Sequence, residues 1–265
     1  MRSIHSLTQL TGRKALITGG AGHIGSAIAD ALLECGADVI LLDQHAPRIK
    51  EVVETLSQKY PGRVTGTALD ISKESVLRKR VPPLIRDGLD ILIHSAAFVA
   101  TTKIPGWAVP FDSQSVSGWD AALRVNLTSA FVLSQICHPV LAQKSRGSII
   151  FISSIYGMVG PDFSLYEGTD MINPAGYGAS KGGLLQLTRH LSTLFAPKIR
   201  VNAISPGGIW RNQPKAFVKR YEARTPMKRM GTEEDLRGAA VFLSSDLSAY
   251  VTGHNLPVDG GWTSW

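Results

Sequence analysis

Lys14-Ala-Leu-Ile-Thr-Gly-Gly-Ala-Gly-His-Ile-Gly25 runs a short apolar segment straight into a glycine-rich turn, and Val39-Ile-Leu-Leu-Asp43 closes a second apolar segment further on. Neither segment alternates apolar with polar residues, so each reads as a strand covered on both faces. Gly20, Gly22 and Gly25 satisfy the G-x-G-x-x-G spacing at the junction of a strand and a helix. Glycine there permits a tight turn, lets backbone N–H groups approach a diphosphate and brings the helix close to the strand, while the helix N-terminus adds partial positive charge. An ordinary strand-to-helix turn can carry the same glycines, and Asp43 can be a strand-end turn residue. Its register decides between the readings. A carboxylate about 20 residues beyond the glycines accepts hydrogen bonds from the adenosine ribose and repels a 2′-phosphate. With no arginine inside the turn, NAD is expected and NADP less so.

Outward from this pair, apolar runs recur at Val64–Leu69, Leu89–His94, Ser148–Ser153, Arg200–Ile204 and Asn255–Val258. Helical patterns lie after Gly25 and across Pro47–Lys59, Trp119–Gln143, Tyr177–Phe195 and Glu233–Ser245. Strands alternating with helices and right-handed crossovers imply an α/β fold: one Rossmann-like domain over residues 1–265, with a doubly wound seven-stranded parallel sheet and helices on both faces. The stretches 98–118 and 156–174 read as substrate loops and 207–230 as a lid.

The composition agrees with one large domain: 265 residues, 44% hydrophobic and 18% charged, can bury a sizeable core. A formal charge of +7 is spread along the chain without a basic run, which argues against nucleic acid and for a small-molecule substrate. No apolar run approaches the roughly 18 residues of a membrane span, and the first dozen residues are too polar for a signal peptide. Cys35 and Cys137 form no disulfide framework and have no metal-ligand spacing. A cytoplasmic protein with no membrane partner and no metal is expected.

Tyr177-Gly-Ala-Ser-Lys181 places a phenol and an ammonium one helical turn apart on the same face. A neighbouring ammonium favours the tyrosinate, which can then exchange a proton with a substrate oxygen. Ser153 and Ser154 close the fifth strand and Asn126 lies on the preceding helix, so all can face the crevice at the sheet's carboxyl end.

With these residues in this order, together with Arg200-Val-Asn-Ala-Ile-Ser-Pro-Gly207 and Val258-Asp-Gly-Gly261, nearly the whole chain resembles the short-chain dehydrogenase/reductase family. The resemblance implies that Tyr177 is the general acid/base, that Ser154 rather than Ser153 bonds the reacting oxygen, and that Lys181 binds the nicotinamide ribose and depresses the Tyr177 pKa. It implies that Asn126 holds a water linking Lys181 to solvent. Cofactor contacts are expected from the turn (Gly19, Gly20, Gly22, His23, Ile24, Gly25) and from Asp43. Asp70 and Ile71 follow the third strand; Ser95, Ala96 and Ala97 follow the fourth. Tyr177 and Lys181 join them, with Pro206, Gly207 and Ile209 over the nicotinamide. A homo-oligomer, tetramer or dimer, is also implied.

The chain departs from the family pattern at His23, at His94-Ser-Ala-Ala97 and at Arg211. His23 reads as a solvent-edge turn residue. Between Ser154 and Tyr177 the chain is longer than in most relatives, which makes Tyr156 and Glu167, with Arg211 of the lid, the expected substrate contacts. The mix of aromatic, carboxylate and hydroxyl groups suits a polar sugar-like ligand. It is similar to dehydrogenases linked to flagellin modification and nonulosonic-acid sugar pathways. The expected reaction is interconversion of a secondary alcohol and a ketone. An NAD-using nucleotide-sugar epimerase or dehydratase, or a non-catalytic dinucleotide-binding regulator, stays open.

Overall fold

The computed structural model describes residues 1–265. Strands β1 (Lys14–Thr18), β2 (Asp38–Asp43), β3 (Val64–Ala68), β4 (Ile91–His94), β5 (Gly147–Ile152), β6 (Ile199–Pro206) and β7 (Asn255–Val258) form one parallel sheet in the order β3-β2-β1-β4-β5-β6-β7. The winding reverses between β1 and β4, which opens a crevice at the carboxyl ends of the strands there.

The helices are α1 (Ile4–Thr8), α2 (His23–Glu34), α3 (Ala46–Lys59), α4 (Glu74–Ile85), α5 (Val116–Leu123), α6 (Ser129–Leu141), α7 (Ala175–Phe195), α8 (Lys215–Arg224) and α9 (Glu234–Ser244). Successive strand residues feed opposite faces. Leu16 packs with Leu77 of α4, Leu133 of α6 and Leu184 of α7. Its neighbour Ile17 packs with Ile28 of α2, Ile49 of α3 and Leu236 of α9. Two cores of 23 and 22 buried residues thus enclose the sheet, which is why its central strands run apolar without alternation through Ala15–Ile17, Ile91–Ile93 and Ile149–Ile152.

Several expectations need correction. β3 is an edge strand, and Thr65 and Gly66 are exposed rather than buried. β4 begins two residues later than expected, at Ile91, and β6 extends to Pro206. The expected helix Trp119–Gln143 starts earlier and is interrupted: α5 passes through a π-helical turn, Arg124–Thr128, into α6. This continuous helix, Val116–Lys144, is also long and apolar enough to cross a membrane by length and composition, contrary to the run-length expectation. Its residues Ala130, Leu133, Cys137 and Leu141 are buried against the sheet, which accounts for the apolarity. Three helices went unforeseen. α4 contains Pro82 and Pro83, a breaker signal, yet Leu77, Val81 and Ile85 form a buried stripe at four-residue spacing that outweighs them. α8 is mostly polar and buries only Phe217 and Tyr221, and α1 is a single short turn.

The amino-terminal end of the sheet, away from the crevice, is pinned by Asp90, which is 1% exposed. Its carboxylate accepts from the Lys14 N–H at 3.0 Å and Arg146 Nε at 2.9 Å, with Lys144 Nζ at 3.5 Å, tying β1, β4 and β5 at their starts. Asp90→Ala strands the Lys14 N–H and should cost about 1–3 kcal/mol, read as a lower urea midpoint. Because Asp90 lies at the far end of the strands, ligand affinity in the crevice should stay within twofold, roughly the ±0.5 kcal/mol expected of a remote site.

Candidate active site

The crevice is a cavity of about 1550 Å³ that reaches from the glycine turn to the lid. That exceeds the roughly 300–1,000 Å³ of a typical single-ligand pocket and leaves room for a dinucleotide and a substrate side by side. Gly19, with φ +65°, lies so close to the next strand that a Cβ would stand 2.7 Å from the Ala96 backbone. At Gly25 a Cβ would stand 2.2 Å from the Gly19 carbonyl oxygen, so only glycine lets α2 start against β1. The role expected of Gly20 changes: it does not line the cavity but packs on Leu41, where a Cβ would stand 2.8 Å from that side chain.

α2 begins at the N-cap Gly22 with no side-chain cap and no acid in its first turn, so its N–H groups and partial positive charge face the cavity unneutralised. This is what a diphosphate requires, and the cradle fits a dinucleotide. Asp43 lines the cavity at the end of β2, its carboxylate aimed by bonds from the Ala21 N–H at 3.2 Å and the His45 N–H at 3.1 Å. Asp70 caps its own turn through Ser72 and, with Ile71, lines the same wall. Ser95, Ala96 and Ala97 form the opposite wall, and Pro206, Gly207 and Ile209 the cover.

His23 sits at the solvent edge as expected, 59% exposed, with Glu233 at 3.6 Å. Burial, Arg211 and Arg48 lower its pKa. Arg48 is a cavity residue the sequence reading missed: it lies one helical turn past the Asp43 loop and within 3.5 Å of His23.

Ser154, Tyr177 and Lys181 converge on the cavity wall nearest the cover. Ser153 faces the cavity too, but its hydroxyl donates to the Lys181 carbonyl at 2.9 Å, whereas the Ser154 hydroxyl accepts from the Tyr156 N–H at 3.2 Å and acts to lower the Tyr177 pKa. Lys181 is buried, its Nζ donating to the Ile152 carbonyl at 2.7 Å and standing 5.7 Å from the centre of the Tyr177 ring. The expected depression of the Tyr177 pKa is not found in this state. Burial raises the phenol, with the Ser154 bond opposing it, and burial drops Lys181 to about 7. An ammonium without a counter-charge is itself penalised by desolvation, so it has little power to stabilise a tyrosinate.

Asn126 lies in the π-helical turn, fully buried. Its side chain accepts from the Phe98 N–H at 2.5 Å and donates to the Phe98 carbonyl at 3.1 Å and to Ser180 Oγ at 2.9 Å. Both ends of the amide are therefore engaged in holding α7 and the 98–118 loop. Beneath lies His94, buried and neutral with its pKa dropped to about 3. Ser129 Oγ spends its one proton on the Val125 carbonyl, so the neutral ring carries its proton on Nε2 and its Nδ1 accepts from Thr18 Oγ1 at 2.8 Å, which itself accepts from the Ala96 N–H. The opposite nitrogen, Nε2, then donates toward Ser129 Oγ at 3.4 Å, which donates to the Val125 carbonyl at 2.6 Å.

Of the expected substrate contacts, Tyr156 lines the cavity and Glu167 does not: its side chain is exposed and only its carbonyl is used, by Arg220. Arg211 lines the cavity but is paired with Glu233 at 2.7 Å. The lid's other arginines also have partners, Arg220 on the Leu165 and Glu167 carbonyls, Arg224 on Asp162 and Arg229 on Asp235. The residues missed are Tyr166 and Asn173 of the inserted loop and Tyr221 of α8, all on the cavity wall. Arg220 and Arg224, four apart on one helix face, were the available sign that the lid grips this loop.

A family model described as enoyl-(acyl carrier protein) reductase matches residues 19–263. The 2-dehydro-3-deoxy-D-gluconate 5-dehydrogenase of Bacillus subtilis is 35% identical over 100% of both chains. A short chain dehydrogenase from Leptospira borgpetersenii, solved with bound NAD+, superposes with a TM-score of 0.84 at 33% identity, covering 99% of this chain and 96% of that one. The NADPH-dependent 3-quinuclidinone reductase from Rhodotorula rubra gives 0.87 at 26% identity, with coverage of 100% and 96%. The likeness spans every strand of the sheet and both ends of the crevice: the chain belongs to the short-chain dehydrogenase/reductase family, oxidoreductases that bind a nicotinamide dinucleotide.

Proposed function

We propose that this chain is an NAD(H)-dependent dehydrogenase that interconverts a secondary alcohol and a ketone on a polar, sugar-like substrate. The observation that carries this reading is the meeting of Ser154, Tyr177 and Lys181 on a wall continuous with the dinucleotide cradle. The dinucleotide supplies the hydride acceptor or donor. Ser154 bonds the substrate oxygen and Tyr177 takes or gives its proton, both side chains lining the same wall. Burial raises the phenol and drops Lys181 to about 7, so Lys181 is the weaker base and the exchanged proton rests on Tyr177. Asn126, locked to Ser180, sets where Lys181 stands.

NAD is favoured over NADP by the fixed carboxylate of Asp43, which would repel a 2′-phosphate. Arg48 nearby would attract one, but it leans on His23. An epimerase or dehydratase is disfavoured because the similar chains named above are dehydrogenases and reductases. Assembly into a homotetramer or dimer follows from the family, and sedimentation would read it.

Three outcomes are expected. Tyr177→Phe should lower kcat by about 10²–10⁴-fold while NADH binding, followed by fluorescence, is retained. Asp43→Ala should move the ratio of kcat/KM for NAD over NADP toward NADP by about tenfold or more, one lost repulsion of roughly 1.4 kcal/mol; an unchanged ratio would remove Asp43 from cofactor choice. Lys181 binds its proton at about 7 when folded but at 10.5 when unfolded, so between those values the unfolded chain holds more protons and stability rises with pH. Lys181→Met lacks that slope. Its urea midpoint relative to the parent should be highest near pH 6.5 and should fall steadily toward pH 9.5; parallel curves would mean that Lys181 keeps its ordinary pKa.

A further inference from the structure

We propose that Tyr156, Tyr166 and Asn173 form the specificity subsite, and that it binds the hydroxyl adjacent to the reacting carbon of a neutral polyol. The proposal rests on the dehydrogenase reading above. The three side chains line the same cavity as Ser154 and Tyr177. Tyr156 is tied to the reaction centre, because its N–H donates to Ser154 Oγ at 3.2 Å. Its hydroxyl meets that of Tyr166 at 2.8 Å, and the Asn173 amide nitrogen donates to Tyr166 Oη at 3.3 Å.

The protons can be counted. The two phenols own two hydroxyl protons, and their mutual bond consumes one. If Tyr166 donates, Tyr156 keeps its O–H free; if Tyr156 donates, Tyr166 accepts twice and keeps its own. Either way the pair retains one free donor, and the Asn173 carbonyl oxygen has no partner within the chain. One donor and one acceptor side by side are what an alcohol hydroxyl needs, since it both accepts and donates. Burial raises the pKa of both phenols, so they stay protonated donors across the working range.

Neutrality follows from the surroundings. Arg211, Arg220, Arg224 and Arg229 are spent on partners inside the protein. Around the subsite stand Met171, Phe217, Tyr221 and Met230. Two further arginines line the cavity. Arg48 belongs to the glycine-turn end, against His23, and Arg124 belongs to the π-helical turn that holds Asn126, and neither bonds any of the three subsite residues. A carboxylate or phosphate at the subsite would therefore be desolvated without a cation, which is costly, whereas a hydroxyl finds both partners.

The test is the initial rate of NADH formation with cyclohexanol, trans-1,2-cyclohexanediol, D-glucitol and D-gluconate, for the parent, the double variant Tyr156→Phe/Tyr166→Phe, which removes the free donor, and Asn173→Ala, which removes the acceptor. The parent should prefer diol over monoalcohol, and glucitol over gluconate, by roughly tenfold or more in kcat/KM. Each variant should lower the diol-to-monoalcohol ratio by roughly 10- to 100-fold, mainly through KM, as expected when a buried donor or acceptor loses its match. A preference for gluconate, or variants that lower both alcohols equally, would overturn the subsite. If no alcohol reduces the cofactor, the dehydrogenase reading is what fails. The subsite is then read by quenching of tryptophan fluorescence as D-glucitol binds the NADH complex: weakened binding in Tyr156→Phe/Tyr166→Phe supports it, and equal affinity overturns it.

Discussion

The carboxyl end of the sheet depends on one close approach, the Cα of Gly25 over the carbonyl of Gly19. A single added carbon would stand 2.2 Å from that oxygen, a contact no side chain survives. Because α2 starts there, its uncapped N-terminus opens into the cavity rather than beside it. The same turn puts Gly19 in the left-handed region against the backbone of Ala96, so the ends of β1 and β4 cannot part without unmaking it. The chain of bonds through Thr18, His94 and Ser129 carries this constraint further, to the π-helical turn that holds Asn126. A π-turn costs helix regularity and persists where its neighbours define it, which here they do from both sides.

Electrostatics at the centre follow from burial more than from pairing. Lys181 and Tyr177 are both buried, Lys181 with the Ile152 carbonyl as its direct partner and Tyr177 beside Ser154, so each prefers to be neutral. Burial moves their pKa values apart, the phenol up and the ammonium down to about 7, so the proton of this pair stays on the Tyr177 oxygen. His94 below is likewise kept neutral, by burial and by the nearness of Lys181, and so adds hydrogen bonds without adding charge.

The sheet was legible because two-sided burial writes itself as unbroken apolar runs: β1 runs straight into the glycine turn and β2 closes at Asp43, as expected. Asp43 and Ser154 were legible because they lie at carboxyl ends of strands, and Tyr177 and Lys181 because a four-residue spacing puts both on one face of α7 near its start. What escaped depended on contacts between segments distant in sequence. Gly20 reads as a phosphate glycine but serves a close approach to Leu41, set by the pairing of β1 with β2. Arg211 reads as a substrate contact, whereas Glu233 claims it, as Asp162 claims Arg224 and Asp235 claims Arg229. No local pattern announces Asp162 as the partner of Arg224, 62 residues away. α4 was hidden by its prolines and α8 by its charge, since both are helices through tertiary packing more than through propensity.

The inserted loop and the lid are one mechanical unit. Tyr166, Phe217, Tyr221 and Trp262 form a continuous aromatic array with centroid spacings of 5.3, 5.9 and 4.4 Å, joining the loop to α8 and to the chain's last turn. Arg220 and Arg224 fasten the same two segments from outside. At its other edge the array is bonded to the cofactor cover, for the Tyr221 hydroxyl accepts from the Gly208 N–H at 2.5 Å. Any movement of α8 must therefore carry Tyr166 and tug at the Pro206–Ile209 turn together. Substrate wall and cofactor cover share one support, so the orientation of a ligand against Tyr166 is transmitted to the turn that faces the nicotinamide site, through packed rings rather than through a flexible hinge.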